Sequence, residues 1–369
     1  MDVWNKSLDA ALCREVMGGI PLLWQAAQRA LESGMTVPGV PEEAGALAQR
    51  LLEQHSQEEG PRLANLMNKI ATVMPDAAPL FPLGLLGSML PDALTYMQSL
   101  GAGDEICCAT FSDIMRWVER YTRLHGTPGV DEYNWITLPY AGRIFEIGGL
   151  QYQAFRNPWP VFVWEDRPGG LILAADKGVQ VSADGFIAGT NGLHRDVAWT
   201  TSYRQAGDWC TAHRYAPATG ALCARAETFS LDGCALLAAP GAPALNLHIP
   251  AGAPLVSEAV NCSFAQAHAF FAHLQYPSGA VLCESWLLDP QLAQWLGPAS
   301  AIRAFAGRFA RFQVYSAGSW AHRFLFGCDR PPEELTDADV HTSLQKAVLA
   351  HWRAGGQLYD TGGVTILNH

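Results

Sequence analysis

The chain has 369 residues, 49% of them apolar and 16% charged, with 24 Lys and Arg against 35 Asp and Glu for a formal charge of −11. That apolar share excludes a largely disordered chain, and the length favours two domains over one core. The acidic balance argues against nucleic acid or an anionic membrane as the main partner, while leaving room for a local basic pocket that holds one anionic ligand.

The first third reads as helical. Residues 7–17 carry Leu8, Ala11, Leu12 and Val16 at helical spacing before the Gly18–Gly19 stop, and residues 20–33 repeat the pattern with Leu22, Leu23, Ala26, Ala27, Ala30 and Leu31. Pro41, followed by Glu42 and Glu43, opens a helix to about residue 55. Pro61 opens another, striped by Leu63, Leu66, Ile70 and Val73. The spacing predicts a helix over 83–100 interrupted at Pro91, then one from Ser112 that ends at Gly126.

Past residue 130 strand patterns take over. Residues 143–155 alternate for much of their length, 160–164 and 171–174 are short apolar strands, and Val179 and Val181 lead into a turn at Asp184–Gly185. Residues 198–203 and 222–231 add more strand. The remainder alternates: strand 244–249, helix 263–274, strand 280–287, helices 290–296 and 301–309, strands 311–315 and 323–326, helix 342–354 and a strand near 364–367. This order predicts an α+β chain: an all-α domain over 1–130, then a mixed α/β domain over 131–369 with a parallel pair, 244–249 beside 280–287. The most apolar run, 80–90, is broken by Pro82 and is far too short for a bilayer, and no signal sequence is evident. Nine cysteines, odd in number and in apolar contexts, read as reduced thiols, so the expected compartment is the cytoplasm.

Five segments occur in a distinctive order. They are Arg143-Ile-Phe-Glu-Ile-Gly-Gly-Leu-Gln-Tyr-Gln153, Ala183-Asp-Gly-Phe-Ile-Ala-Gly-Thr-Asn191, Leu245-Asn-Leu-His-Ile-Pro250, Cys283-Glu-Ser-Trp-Leu-Leu-Asp-Pro290 and Thr342-Ser-Leu-Gln-Lys-Ala347. Together they resemble an acyltransferase family that pairs an all-helical N-terminal domain with a GNAT-like C-terminal domain, over about residues 143–363. The resemblance implies N-acyl transfer from acetyl-CoA or another acyl-CoA to a small-molecule amine. It implies that the acyl-CoA enters a splay between the two central strands, its pyrophosphate against the following loop and helix N-terminus. Ile249, Gly252, Ser257, Asn261 and Ser263 are the implied CoA-binding positions. The family's loop normally reads Arg/Gln-x-x-Gly-x-Gly/Ala. Here Ala251-Gly-Ala-Pro-Leu-Val-Ser-Glu258 keeps one glycine and adds a carboxylate, leaving Arg303 or Arg308 to supply positive charge from elsewhere. The departure motivates an alternative, a non-catalytic small-molecule-binding protein that retains the fold.

Strand parity sorts the polar residues. Asn246 and His248 share one face of the first central strand, and Glu284 lies with Leu282 on one face of the second. Polar side chains in central strands need partners or water. His248 and Glu284 are therefore candidate general bases, against a core histidine and an ion pair to an arginine such as Arg303. Tyr315 is the candidate acid for the leaving thiolate, against an ordinary core or surface tyrosine. Cys283 has nothing to activate it as a nucleophile. His268 and His273, five apart on a helix, do not stack as metal ligands. His194 and Asp196, in a polar loop, are candidate pocket-lining residues.

Overall fold

The structure is a computed structural model that describes residues 21–316 and 321–367; the helix expected over 7–17 lies outside them. The chain forms two compact units, Met1–Gln151 and Tyr152–His369. Residues 131–151, grouped with the second domain on sequence, cluster with the first.

The first unit is helical: α1 (Pro21–Gly34), α2 (Val40–Leu52), α3 (Gly60–Val73), α4 (Phe81–Ser99), α5 (Asp104–His125) and α6 (Tyr133–Ile136), closed by strand β1 (Ile144–Ile147). α4 is buried along most of its length, and α1 packs directly on it at Gly84, where an added Cβ would lie 2.3 Å from the Ala27 carbonyl oxygen. The break expected at Pro91 does not occur: α4 runs through it. Proline removes one N–H and crowds the carbonyl four residues earlier. That carbonyl belongs to Gly87, and the freed Pro91 ring is itself buried in the unit's core. α5 begins eight residues before Ser112, at Asp104 and Glu105, whose carboxylates suit a helix N-terminus, and it ends as expected at Gly126, with φ 72°.

The second unit is built on a mixed sheet. Its strands are β2 (Leu150–Arg156), β11 (Pro243–His248), β12 (Ala280–Ser285), β14 (Thr361–Ile366) and β13 (Ala310–Phe312), in that spatial order. β11 and β12 are parallel, as the strand–helix–strand pattern requires, joined through α7 (Ser257–His273). β14 is antiparallel to both β12 and β13. A second sheet, β10 (Ala235–Ala238), β3 (Val161–Glu165) and β4 (Leu171–Ala175), shares a core with one face of the first. Trp159, Val161, Val163 and Leu173 meet Leu282, Phe312 and Val364 there. Two smaller sheets pair β5 (Gln180–Val181) with β6 (Trp199–Thr200), and β7 (Tyr203–Ala206) with β8 (Trp209–Ala212) and β9 (Glu227–Ser230).

Local expectations fail where short apolar runs carry no clear period. Residues 323–326, expected as strand, belong to helix α9 (Ala321–Phe326); four apolar-rich residues cannot distinguish the two. α8 (Ala301–Ala306) stops short of residue 309, residues 290–294 form 3₁₀ rather than α-helix, and α7 begins six residues before Ser263. α10 (Ser343–Arg353) starts on a capping box in which Thr342 and Gln345 exchange side-chain and backbone hydrogen bonds. Among the described cysteines none is in a disulfide: Cys107, Cys210 and Cys283 are buried, whereas Cys223 and Cys262 are exposed. No described helix is long and apolar enough to cross a membrane.

Candidate active site

The parallel pair is short. Its register is Leu245 with Val281, Asn246 with Leu282 and Leu247 with Cys283, and pairing ends there. His248 and Glu284 stand one step past the last couple, on the same face as Asn246 and Leu282. The paired register thus ends where the two polar residues begin.

His248 is half-buried. Its Nε2 lies 2.9 Å from Gln153 Oε1, on β2, and 3.1 Å from Asn246 Nδ2. One ring nitrogen serves either a donor or an acceptor, so it cannot satisfy both amides at once. Glu284 Oε2 accepts from the Trp159 indole N–H at 3.2 Å. Arg303 does not pair with it; that guanidinium donates instead to the Leu296 carbonyl and lines a separate cavity of about 170 Å³ with Leu287, Leu292 and Ile302. Glu284 is exposed as a residue, yet partial desolvation of its carboxyl group, with Asp360 as a nearby like charge, pushes it up to about 7. Gly362 is the cross-strand partner of both Glu284 and Phe312, and the Phe312 ring lies where a Cβ would be, 2.3 Å away. Asp360, two residues before Gly362 and therefore on that face, is buried and accepts from Ser316 Oγ at 3.3 Å.

The loop after β11 is a tight turn that leads to the N-terminus of α7. Ala253 N–H donates to the Pro250 carbonyl at 3.0 Å, closing a turn that needs φ 81° at Gly252, a glycine position. No side chain caps α7, so its first-turn N–H groups are available to an anion. Arg308 brings positive charge to them. Its Nη1 donates to Asn261 Oδ1 at 2.7 Å and its Nη2 to the Ser257 carbonyl at 3.3 Å. Ser257 and Asn261 therefore meet Arg308, while Gly252 and Ile249 stand in the turn that precedes them, with no hydrogen bond to it among the described residues. Ser263 does not join them: it is fully buried, 2.7 Å from the Tyr152 hydroxyl. The first turn of α7 thus offers uncapped N–H groups and the nearby Arg308 charge, set against the Glu258 carboxylate in the same turn.

Tyr315 is 60% exposed, three residues past β13 and over Gly189; among the described residues no hydrogen bond joins its hydroxyl to His248 or Glu284. A different tyrosine is held in a proton-handling arrangement. Tyr359 hydroxyl is 3.0 Å from His194 Nε2, and His194 Nδ1 is 2.9 Å from Asp184 Oδ2. The imidazole is stacked on Phe186 and is 14% exposed. Its backbone takes φ 51°, as does Asn191 at 54°, and Asn191 Nδ2 pins the loop to the Leu358 carbonyl at 2.8 Å. Burial alone would raise Asp184, but hydrogen bonding from Ser182 and the neighbouring His194 outweigh it and hold the carboxyl below its usual range. Tyr359 is pushed up by burial and by the charges of Asp184 and Asp289. The sequence pointed to His194 as a polar loop residue but gave no sign of Tyr359, which lies 165 residues away, and Asp184 read only as part of a turn. Asp196 lies two residues on, exposed. Cys283 is fully buried and its thiol is pushed up by that burial, which makes it inert. No described group of three or more His, Cys, Asp or Glu is arranged to hold a metal ion.

The family model described as a GNAT-like C-terminal domain matches residues 144–365, and that of an N-acyltransferase N-terminal domain matches 14–142. A crystal structure of an acyltransferase in complex with CoA and 10C-teicoplanin is similar over 86% of each chain, with 19% identity and a TM-score of 0.52. Another, of an acyltransferase with decanoyl-CoA and teicoplanin, is 20% identical over 92% of this chain and 87% of its own, also with a TM-score of 0.52. No curated protein matches the sequence. Such distant structural likeness speaks to the fold, whereas the family models cover nearly the whole chain: the protein belongs to the family that joins an N-acyltransferase N-terminal domain to a GNAT-like C-terminal domain.

Proposed function

We propose that the protein is an acyl-CoA-dependent N-acyltransferase acting on a small-molecule amine. The observation that carries this reading is the end of the parallel pairing of β11 and β12 at Leu247 and Cys283, with His248 and Glu284 beyond it and an uncapped helix N-terminus at the end of the loop that follows. Arg308, the Gly252 turn and the first turn of α7 bind the CoA phosphates. Glu284 takes a proton from the acceptor amine, whose nitrogen then forms a C–N bond to the thioester carbonyl as the C–S bond breaks; the departing thiolate takes up a proton. His248, held by Gln153, orients the face on which this occurs. The crystal structures of similar fold hold CoA, decanoyl-CoA or octanoyl-CoA, which supports an acyl-CoA donor.

The Asp184–His194–Tyr359 arrangement favours a second reading of proton transfer, in which His194 is the base. The comparison of variants in the Discussion separates the two. The binding step has its own test. Decanoyl-CoA should raise the melting temperature of the protein, because a ligand bound only by the native state stabilises it. Arg308→Glu should weaken that binding about tenfold or more through loss of a charge-assisted phosphate contact. No shift at millimolar acyl-CoA would replace acyl transfer by the non-catalytic binding reading.

A further inference from the structure

The cavity beside α8 combines apolar walls with positive charge. It measures about 170 Å³, and its walls include Leu292, Leu296 and Ile302. A dry cavity of about 150 Å³ lined by such side chains takes benzene, so there is room here for about six carbons. Two guanidiniums border it, those of Arg303 and Arg311. Arg311 is half-buried and donates only to main-chain carbonyls: Nε to Leu288 at 2.7 Å, Nη1 to Ala218 at 3.1 Å and Nη2 to Ala306 at 3.2 Å. A guanidinium carries more N–H bonds than these occupy. Arg303 is exposed and donates to the Leu296 carbonyl at 3.3 Å. Among the described residues neither forms an ion pair. The carboxylate on the cavity wall, Asp289, is 2% exposed and accepts instead from the main-chain N–H groups of Gln291 at 2.9 Å and Tyr359 at 2.8 Å, and from Gln291 Nε2 at 3.2 Å. Burial lowers Arg311, and the charge of Asp289 offsets only part of that. Two guanidiniums thus stand against one carboxylate, and a partly desolvated cation without an ion-pair partner favours an anion.

We propose that this cavity is a binding site for a short alkyl carboxylate, its chain among Leu292, Leu296 and Ile302 and its carboxylate between Arg303 and Arg311. The chain fills space that the walls leave empty, and the carboxylate gives both guanidiniums the partner that Asp289 does not. An alcohol of the same length satisfies the walls alone. The site stands apart from the proposed acyl transfer: it shares no residue with the face of His248 and Glu284 or with the α7 turn that Arg308 contacts.

The test uses sodium hexanoate and 1-hexanol as probes, their binding to the full chain measured by ligand-observed NMR titration. The wild type should bind hexanoate at least about fivefold more tightly than hexanol, since only hexanoate accepts charge-assisted hydrogen bonds. Arg303→Gln, at an exposed position that the fold tolerates, should weaken hexanoate about fivefold and leave hexanol unchanged. Ile302→Trp, which fills the cavity, should weaken both probes about tenfold or more. Equal affinity of the two probes for the wild type, or wild-type hexanoate binding by Arg303→Gln, overturns the proposal, and the second result decides it even where the filled variant does not fold. Saturating decanoyl-CoA should leave hexanoate in place; displacement would assign the cavity to the acyl chain and overturn a separate carboxylate site. Hexanoate binding is measured without acyl-CoA, so it stands where the acyl-CoA melting shift fails, and its absence leaves acyl transfer intact.

Discussion

Glu284→Gln should lower kcat by about 100-fold or more while leaving acyl-CoA binding close to wild type, since it removes a proton acceptor and keeps the shape of the side chain. The same variant should alter two pH profiles. In the wild type kcat/KM rises as Glu284 ionises, near pH 7, and that limb should vanish in the variant. Stability should move in the opposite sense. The folded carboxyl sits above its unfolded value of about 4.5, so between pH 4.5 and about 7 the native state holds the extra proton and loses stability as pH rises through that window. Glutamine cannot titrate, and this part of the slope should disappear. His194→Ala provides the comparison: a loss of about 100-fold there, with Glu284→Gln nearly fully active, would transfer the role of base to the Asp184–His194–Tyr359 arrangement.

Gly84→Ala should destabilise the helical unit by about 3 kcal/mol, measured as a fall in the denaturation midpoint. The new methyl would meet the Ala27 carbonyl at 2.3 Å and Leu31 Cβ at 2.8 Å, and neither is the yielding end of a flexible side chain. α1 and α4 must move apart to admit it. Gly45→Ala, on the exposed side of α2 with no atom within 4 Å of the added Cβ, should act with the opposite sign and stabilise by about 0.5–1 kcal/mol through helix propensity alone. Equal effects at both sites would mean that backbone contact between α1 and α4 contributes nothing.

Central features of the candidate site were legible because strands impose parity. Asn246, His248 and Glu284 stand out as polar side chains in strands that otherwise read as buried, and their common face follows from a period of two alone. The role of Arg308 rested on charge rather than pattern: the loop after β11 lacked a cation, and the structure places this guanidinium, not that of Arg303, at α7. What sequence could not supply were pairs joined only by the tertiary fold. Asp184 and Tyr359 look like an ordinary turn carboxylate and an ordinary tyrosine until the chain brings them to either side of His194. Ser263 failed for a different reason, since its spacing along α7 turns it inward to Tyr152, away from the loop. Likewise Pro91 marks a break only where the carbonyl four residues before it cannot be spared, and in a helix buried on nearly all sides packing outweighs one lost hydrogen bond.

The distribution of thiols equips the molecule with its own footprinting reporter. Cys262 is exposed and immediately follows Asn261 on the turn of α7 that Arg308 contacts, while Cys223 is exposed elsewhere and Cys283 is sealed in the sheet. Alkylation by iodoacetamide should therefore mark Cys262 and Cys223 and spare Cys283. Occupancy of the α7 loop by decanoyl-CoA should slow modification of Cys262 severalfold with Cys223 as the internal reference, so that peptide mass mapping locates the ligand on the native chain without an engineered label or a turnover assay.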